Sequence, residues 1–154
     1  MITRNAFRAF GLATALSFSL LATAIPAWAV DNMSSNDAVD LTSVRAKIAA
    51  KNYQAALDEL RGLAEDTQQA DVYNLLGYTL RKTGDFKTSL TYYTKALELQ
   101  PDHKAAREYL GELFVETGSM DKAKEQLAEL TRLCPSGCEE RTDLERAIAA
   151  KAGG

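Results

Sequence analysis

The sequence predicts an all-α protein made of stacked helix–turn–helix units, and two observations predict it. The first is a repeat with a fixed period, in which Leu76-Gly77 returns as Leu110-Gly111. The second is helical periodicity that runs almost without a pause from Ala38 to Ala150, with no stretch that alternates as a strand would. A fixed period as long as the interval from Leu76 to Leu110 indicates repeated supersecondary units, because one unit alone cannot bury its apolar face.

Further pairs of residues lie at the same spacing: Leu80 and Phe114, Gly84 and Gly118, Tyr93 and Leu127, Ala96 and Leu130, Pro101 and Pro135. Together they resemble the motif of the tetratricopeptide repeat, which reads W-x2-L-G-x2-Y, then A-x3-F, then P. Arg107 in the aromatic position and Ser89 in the small-residue position depart from that motif. The resemblance implies a right-handed solenoid of about three helix–turn–helix repeats plus a C-terminal capping helix. It also implies a binding scaffold whose concave groove is lined by the first helix of each repeat, and it leaves the partner open.

Residues 1–29 are interpreted as a secretory signal peptide. Arg4 and Arg8 give a basic start, Gly11–Ile25 is apolar, and Ala-Trp-Ala at the end of the segment is typical of a cleavage site. An uncleaved membrane anchor is the alternative, because the apolar stretch approaches the length of a span. Pro26 interrupts that stretch and favours cleavage after Ala29. The sequence therefore predicts export to the periplasm of a Gram-negative bacterium or an equivalent compartment.

The remainder of the chain divides into five segments. Residues 30–37 are polar and are predicted to form a disordered leader. Residues 38–69 predict a degenerate first repeat, which has no Leu-Gly pair and no closing Pro. Residues 70–103 and 104–137 predict the second and third repeats. Residues 138–154 predict a capping helix, with one face on the last repeat and the other in water, followed by a frayed tail.

The charge and the motifs exclude several classes of function. The chain has a net charge of −3, and residues 1–29 carry two basic side chains and no acidic one, so the remainder has a net charge of −5. Nucleic-acid binding would need a cluster of basic side chains instead. The sequence contains no Ser-His-Asp set, no phosphate-cradling Gly-rich loop and no His-rich metal motif. It therefore predicts neither an enzyme nor a cofactor or metal site, and no membrane contact after signal cleavage.

The groove implied by the resemblance carries two notable features. Tyr78 and Tyr109 are amphipathic aromatics of the kind favoured in interfaces, and the alternative is that both pack against neighbouring repeats. Glu108, Glu112 and Glu116 form a row at i, i+4 and i+8, a spacing at which like charges destabilise a helix by about 0.2–0.5 kcal/mol per pair. The row therefore indicates either selection of basic side chains in a ligand or neutralisation by cations of the neighbouring groove helix.

Those neighbouring cations are Arg81 and Lys82, and Asn74 on the same helix is expected to hydrogen-bond the ligand backbone. Asn74 and Tyr78 stand where one subclass of the family carries Lys and Asn to bind C-terminal carboxylates. An acidic C-terminal peptide is therefore not expected to bind. The full set of predicted groove residues is Asn74, Leu75, Tyr78, Arg81, Lys82, Glu108, Tyr109, Glu112 and Glu116.

Cys134 and Cys138 are the only cysteines, and in an exported protein they most simply form one disulfide. Such a bond would fix the capping helix to the last repeat and stabilise the fold by about 2 kcal/mol. The alternative is a thiol-redox or Cu(I)-handling protein that acts through this pair, although C-x3-C differs from the C-x-x-C spacing of thioredoxin-like sites. His103, the only histidine, is expected to lie in solvent at a helix start.

Binding of a peptide or protein segment in the concave groove is the function that the sequence predicts. The partner is expected to be basic or neutral, and an envelope protein or a complex under assembly is its expected source. Two alternatives stay open: thiol-redox or copper chemistry at the cysteine pair, and self-association through the weakly covered first repeat near Leu41 and Val44.

Overall fold

The computed structural model describes residues 38–153, and in that range the chain forms seven α-helices and no strand. The helices are α1 (Thr42–Ala49), α2 (Tyr53–Asp66), α3 (Ala70–Lys82), α4 (Phe86–Leu99), α5 (Lys104–Glu116), α6 (Met120–Leu133) and α7 (Glu139–Ala152). The predicted all-α solenoid of helical pairs followed by a capping helix is confirmed. The predicted signal peptide and the leader at 30–37 lie outside the described residues.

The helices repeat with the spacing seen in the sequence. The interval from the start of α3 to the start of α5 is one full repeat, and so is the interval from α4 to α6. The first pair is irregular, because α2 begins slightly less than a full repeat before α4. In addition, α1 has 8 residues where α3 and α5 have 13. The short α1 accounts for the missing motif in the predicted first repeat.

Each pair turns through a residue with a positive φ angle. Gly84 has a φ of 87° and Gly118 a φ of 77°, and Lys51 holds the corresponding place in the first pair with a φ of 58°. Glycine adopts this conformation without a steric penalty, whereas a lysine side chain crowds the backbone there. The first pair therefore turns in the same way as the others with a less suitable residue.

The apolar faces of the helices meet in two buried clusters. The first joins α1, α2 and α3 with the start of α5, and it contains the fully buried Val44, Leu76 and Ala106. The second joins α5, α6 and α7 and contains the fully buried Leu144. Helix α4 contributes Ala96 to the first cluster and Tyr93 to the second. It thereby connects the two clusters into a continuous solenoid core.

Two equivalent glycines allow neighbouring helices to approach closely. A Cβ atom at Gly77 would lie 2.6 Å from Cδ1 of Tyr93, which belongs to the paired helix α4. A Cβ atom at Gly111 would lie 2.4 Å from Cδ2 of Leu144, which belongs to α7 rather than to the paired helix α6. The capping helix α7 therefore packs on α5 at the position where the paired helix α4 packs on α3.

His103 is buried, at 9% exposure, and the prediction that it lies in solvent is wrong. It is the N-cap residue of α5, where its Nδ1 accepts a hydrogen bond of 3.1 Å from the backbone N–H of Ala106. Its Nε2 then carries the proton and donates to Oδ1 of Asp71 on α3, also at 3.1 Å. The stacking of one repeat on the next covers the ring, which the sequence around a single turn does not reveal.

The C-terminal turn is closed by a disulfide between Cys134 and Cys138, whose Cα atoms are 6.0 Å apart. This bond lies between α6 and α7, and Leu144 of α7 packs into the second core cluster. The predicted pairing of the two cysteines is therefore present. Within residues 38–153, no helix combines the length and apolar character needed to cross a membrane.

Candidate functional site

An open cleft of about 230 Å³ lies between the first helices of the three pairs. Helix α1 contributes Arg45, Ile48 and Ala49, α3 contributes Leu75 and Tyr78, and α5 contributes Tyr109. The lining combines aliphatic and aromatic side chains with polar surface, to which the Arg45 guanidinium and the two phenol hydroxyls contribute. The cleft thus lies on the side of the solenoid formed by α1, α3 and α5, which the sequence predicts to be the groove.

Tyr78 and Tyr109 are in contact with each other in this cleft, and both are half-buried. Their ring centroids are 4.9 Å apart and the planes are tilted by 54°, a geometry that aromatic pairs favour. Burial raises the pKa of Tyr109 to about 12 and also raises that of Tyr78. Both hydroxyls therefore stay neutral at physiological pH. The pair combines the two interpretations of these residues, since the rings pack between repeats and still line the cleft.

Arg81 is almost completely buried, with 2% of its side chain exposed. Its Nη2 lies 2.5 Å from Oε2 of Glu112, and its Nη1 lies 2.5 Å from Oε1 of Glu116. Its Cζ lies 5.6 Å from the ring centroid of Tyr78 and 5.8 Å from that of Tyr109, within cation–π range. Two of the three carboxylates in the acidic row are therefore paired with a cation of α3. This agrees with the interpretation that cations of the neighbouring groove helix neutralise the row.

The environment of Arg81 keeps its guanidinium charged. Burial by itself would lower the pKa of Arg81, but the Tyr93 hydroxyl and the carboxylates of Glu112 and Glu116 outweigh it and raise the pKa. Lys82, the other cation expected to neutralise the row, lies over the Tyr78 ring, with Nζ 5.3 Å from the centroid. Arg81 is therefore the cation of α3 that pairs with the acidic row, and Lys82 contacts the aromatic edge of the groove.

Glu108 differs from the other two members of the row. Its exposure is 7%, and within residues 38–153 its carboxyl forms no hydrogen bond or ion pair. Burial, followed by the negative charges of Glu112, Asp143 and Glu140, raises the pKa of Glu108 to about 8, although Arg81 opposes the rise. At neutral pH this side chain is therefore mostly protonated, unlike an ordinary surface glutamate.

Asn74 occupies on α3 the position that Glu108 occupies on α5, one repeat further along the chain. It is 3% exposed, and its Oδ1 accepts no hydrogen bond from the described part of the chain. Buried amide oxygens normally have a partner. A role for Asn74 in hydrogen-bonding a ligand backbone stays a prediction, and the acceptor for such a bond is present.

The structure adds three residues that the sequence did not nominate for the groove. Arg45, Ile48 and Ala49 of α1 all line the cleft, and Ile48 also packs against the first core cluster. Because the first repeat lacks the family motif, the motif could not be used to assign which residues of α1 face the groove. The available signal was helical spacing alone, because positions 45, 48 and 49 share one face of a helix.

A second cleft, of about 410 Å³, lies along α4 outside the predicted groove. It is lined by Tyr73, Leu90, Thr91, Tyr92, Thr94, Lys95 and Glu98. Leu90 is 36% exposed at this surface. None of the predicted groove residues lines it, so this cleft provides a comparison surface on the second helix of a pair.

The described residues give little support to metal chemistry. Across residues 38–153, no three His, Cys, Asp or Glu side chains converge in a way that would hold a metal ion. The sulfurs of Cys134 and Cys138 are bonded to each other. A thiol-redox or copper role for this pair would therefore begin with reduction of the disulfide.

Known proteins similar to this chain share its helical repeats. The family model described as tetratricopeptide repeat matches residues 74–137. The chain is 31% identical over 74 residues to the uncharacterized protein ycf37 of Guillardia theta, a match that covers 48% of this chain and 41% of that protein. The chain thus spans about two fifths of the length of this relative.

Two solved structures have the same fold. PcrH, in complex with the chaperone binding region of PopD, matches with a TM-score of 0.62 at 15% identity, over 73% of this chain and 85% of PcrH. YrrB, a tetratricopeptide repeat protein with an unusual peptide-binding site, matches with a TM-score of 0.58 at 24% identity, over 71% of this chain and 57% of YrrB. These neighbours bind peptides, and proteins with this repeat are generally non-enzymatic scaffolds. Residues 74–137 of this chain belong to the tetratricopeptide repeat family, and the helices around them complete a solenoid of the same fold.

Proposed function

We propose that this chain is an exported adaptor that binds a peptide or protein segment in the groove formed by α1, α3 and α5. The observation that carries the proposal is the open cleft of about 230 Å³, which is bordered by the paired rings of Tyr78 and Tyr109. Aromatic side chains of this kind bury a large area with little loss of conformational entropy. An extended or helical segment with one apolar side chain would place that side chain in the cleft.

The fold neighbours support this function by analogy, because PcrH binds a region of PopD and YrrB has a peptide-binding site. At 15% and 24% identity they share only the fold with this chain, so the ligand chemistry must come from its own residues. The groove combines neutral aromatic surface with the carboxylates of Glu112 and Glu116, which outnumber the single Arg81 guanidinium that pairs with them. We therefore expect a basic or neutral partner, and assembly of an envelope complex as its setting.

Export is part of the proposal and is supported by the composition of residues 1–29. Cell fractionation of the producing organism followed by N-terminal sequencing would test it. We expect mature protein that begins at Val30 in the exported fraction. A cytoplasmic protein that retains Met1 would contradict export and would leave the groove proposal in place.

The groove itself is tested by blocking it. Ala49 is exposed at the end of α1 and lines the cleft, whereas Ala46 is exposed on the same helix and does not line it. Ala49→Trp should fill the cleft without disturbing the core, and Ala46→Trp is the matched control. Tagged protein carrying each change would be crosslinked in its own compartment and compared with wild type and with a Tyr78→Ala, Tyr109→Ala double variant.

A partner that is captured by wild type and by Ala46→Trp, but not by Ala49→Trp or the double tyrosine variant, would support the groove as the binding site. All variants must first give the circular dichroism spectrum of a folded helical protein. A partner retained by every variant would place the binding site elsewhere. A partner lost only after Cys134→Ala and Cys138→Ala would favour the alternative function at the disulfide.

A further inference from the structure

Arg45 lines the α1 side of the groove cleft, and its guanidinium has no partner in the described part of the chain. Every other arginine of residues 38–153 forms an ion pair or a hydrogen bond through its guanidinium: Arg61, Arg81, Arg107, Arg132, Arg141 and Arg146. The residues one helical turn before and after Arg45 carry no charge: Leu41, Thr42, Ile48 and Ala49. The cleft therefore holds a cation that the fold itself does not use.

The two phenol hydroxyls of the cleft are also available as hydrogen-bond donors. Tyr78 and Tyr109 contact each other through their rings, yet neither hydroxyl forms a hydrogen bond within residues 38–153. Burial raises the pKa of Tyr109 to about 12 and also raises that of Tyr78, so both hydroxyls keep their protons. A guanidinium donates hydrogen bonds and accepts none. The cleft therefore presents donors to its occupant, and the occupant should bring an acceptor.

The acidic side chains that face the two tyrosines do not supply that acceptor. They are Glu108 and Glu112 of α5. Glu112 is paired with Arg81 of α3. Burial raises the pKa of Glu108 to about 8, so its carboxyl is mostly protonated at neutral pH. Since neither pairs with Arg45, the positive charge on the α1 side of the cleft has no counter-charge within the described residues.

We propose that Arg45 binds the carboxylate of one Asp or Glu side chain in the segment that occupies the groove. The inference rests on the proposed peptide-binding function and specifies where that function recognises charge. Arg45 lines the same cleft as Leu75 and the two tyrosines, so the acidic residue should lie close in the peptide sequence to the apolar residue that enters the cleft. A segment that is neutral or basic overall still matches this site, because the site takes a single carboxylate.

The pair would gain its strength from the bound segment. Arg45 is exposed in the free protein, and an exposed ion pair contributes little. A segment that lies in the cleft covers the guanidinium, and the exclusion of water strengthens the attraction between the two charges. A guanidinium also matches a carboxylate with two parallel hydrogen bonds, which fixes the orientation of the segment. Because Arg45 forms no ion pair in the fold, its substitution should affect binding and leave folding unchanged.

The experiment is selection of a random peptide library, displayed on phage through the peptide C-termini, against the purified protein. Selected peptides would be synthesised with an amidated and with a free C-terminus, and with the acidic residue replaced by its amide. Calorimetric titration would give their affinities for wild type, for Arg45→Gln and for the matched control Arg61→Gln, which changes an exposed arginine of α2 outside the cleft. Urea unfolding would verify that both variants are as stable as wild type.

We expect the selected peptides to share one acidic residue close to an apolar residue. Arg45→Gln and the amide replacement should each weaken binding by about tenfold, the value of a charge-assisted hydrogen bond, and together they should have no further effect. Arg61→Gln should bind as wild type does. Arg45→Glu should restore tight binding to a peptide whose acidic residue is replaced by Arg.

Peptides that are blocked by Ala49→Trp but bind Arg45→Gln as tightly as wild type would overturn the carboxylate subsite and leave the groove function standing. An effect of Arg45→Gln that appears only with a free C-terminus would move the anion to the chain end and overturn the assignment to a side chain. Failure to select any peptide that Ala49→Trp blocks would overturn both the subsite and the groove function.

Discussion

Helices α3 and α5 occupy equivalent places in two consecutive repeats, and they agree in the core and differ in the groove. Both have 13 residues and both carry the Leu-Gly pair that packs inward. On the groove face, Tyr78 of α3 corresponds to Glu112 of α5, and Arg81 corresponds to Val115. The repeat motif therefore specifies packing, whereas the groove positions are free to carry different chemistry in each repeat.

The difference between the two groove faces also connects them. Arg81 of α3 reaches Glu112 and Glu116 of α5, so a cation of one repeat holds two anions of the next. A buried ion pair is weak evidence of net stability, because desolvation of the charges offsets their attraction. We infer that this arrangement fixes the register of the two helices and leaves Glu108 as the unpaired acid.

The largest expected effect comes from the equivalent glycines. Gly77→Leu forces a side chain into the buried ring of Tyr93 and should destabilise the fold by about 3 kcal/mol or more. Gly111→Leu meets the flexible end of Leu144 on the terminal helix and should cost less, about 1–3 kcal/mol. Urea unfolding monitored by circular dichroism measures both. Equal costs would contradict the distinction between a paired helix and a cap.

The next effect tests the bridge between the two helices. Arg81→Leu removes the buried cation and should destabilise the fold by about 2–3 kcal/mol, less than for a fully buried pair because the two carboxylates can hydrate. Adding Glu112→Gln and Glu116→Gln to Arg81→Leu should recover part of the loss. An Arg81→Leu protein as stable as wild type would show that the bridge has no role in joining the repeats.

A smaller effect depends on pH, because Glu108 can titrate whereas Asn74, at the equivalent position of α3, cannot. The pKa of Glu108 is raised in the folded state from 4.5 to about 8, so the unfolded chain loses this proton first as the pH rises. As the pH rises from 4.5 to about 8, wild type should therefore lose stability relative to Glu108→Gln. Below pH 4.5 this pH-dependent loss should be absent.

With screening at a partly solvated site, we expect Glu108→Gln to be more stable by about 1–2 kcal/mol at pH 8. Thermal melts across the pH range, with Glu125→Gln as the control, measure this difference. A constant difference at every pH would show that the pKa of Glu108 is the same in the folded and the unfolded protein.

The smallest effect concerns the helix starts. His103 caps α5 through its side chain, whereas the N-cap residue of α3, Gln69, provides no side-chain cap bond. His103→Ala should cost about 1 kcal/mol, and His103→Asn should restore most of that loss because asparagine is a good N-cap. Urea unfolding would decide. Equal stability of His103→Ala and wild type would mean that the cap bond contributes nothing.

The sequence predicted the fold because its strongest signals come from close packing. The Leu-Gly pair that returns in both regular repeats marks a position where a neighbouring helix approaches closely, as Tyr93 does at Gly77. The first repeat was harder to read, because α1 is short and Lys51 replaces the glycine at the turn.

The candidate site was predicted only in part, because its character depends on contacts between repeats. Helical spacing identified Tyr78 and Tyr109, and the structure has them in contact. It did not indicate that Arg81 is buried or that Glu108 alone in the acidic row lacks a partner, since both facts depend on distances between helices. The burial of His103 was missed for the same reason.

The central claim is that a segment of the partner lies between α1, α3 and α5, and methyl NMR spectroscopy tests it most directly. Protein with labelled Ile and Leu methyl groups would be titrated with a peptide derived from the captured partner. We expect shifts at Ile48 and Leu75 in the cleft and none at Leu90 and Leu99, which are exposed on α4. Shifts confined to Leu90 and Leu99, with Ile48 and Leu75 unchanged, would contradict the account and move the binding surface to α4.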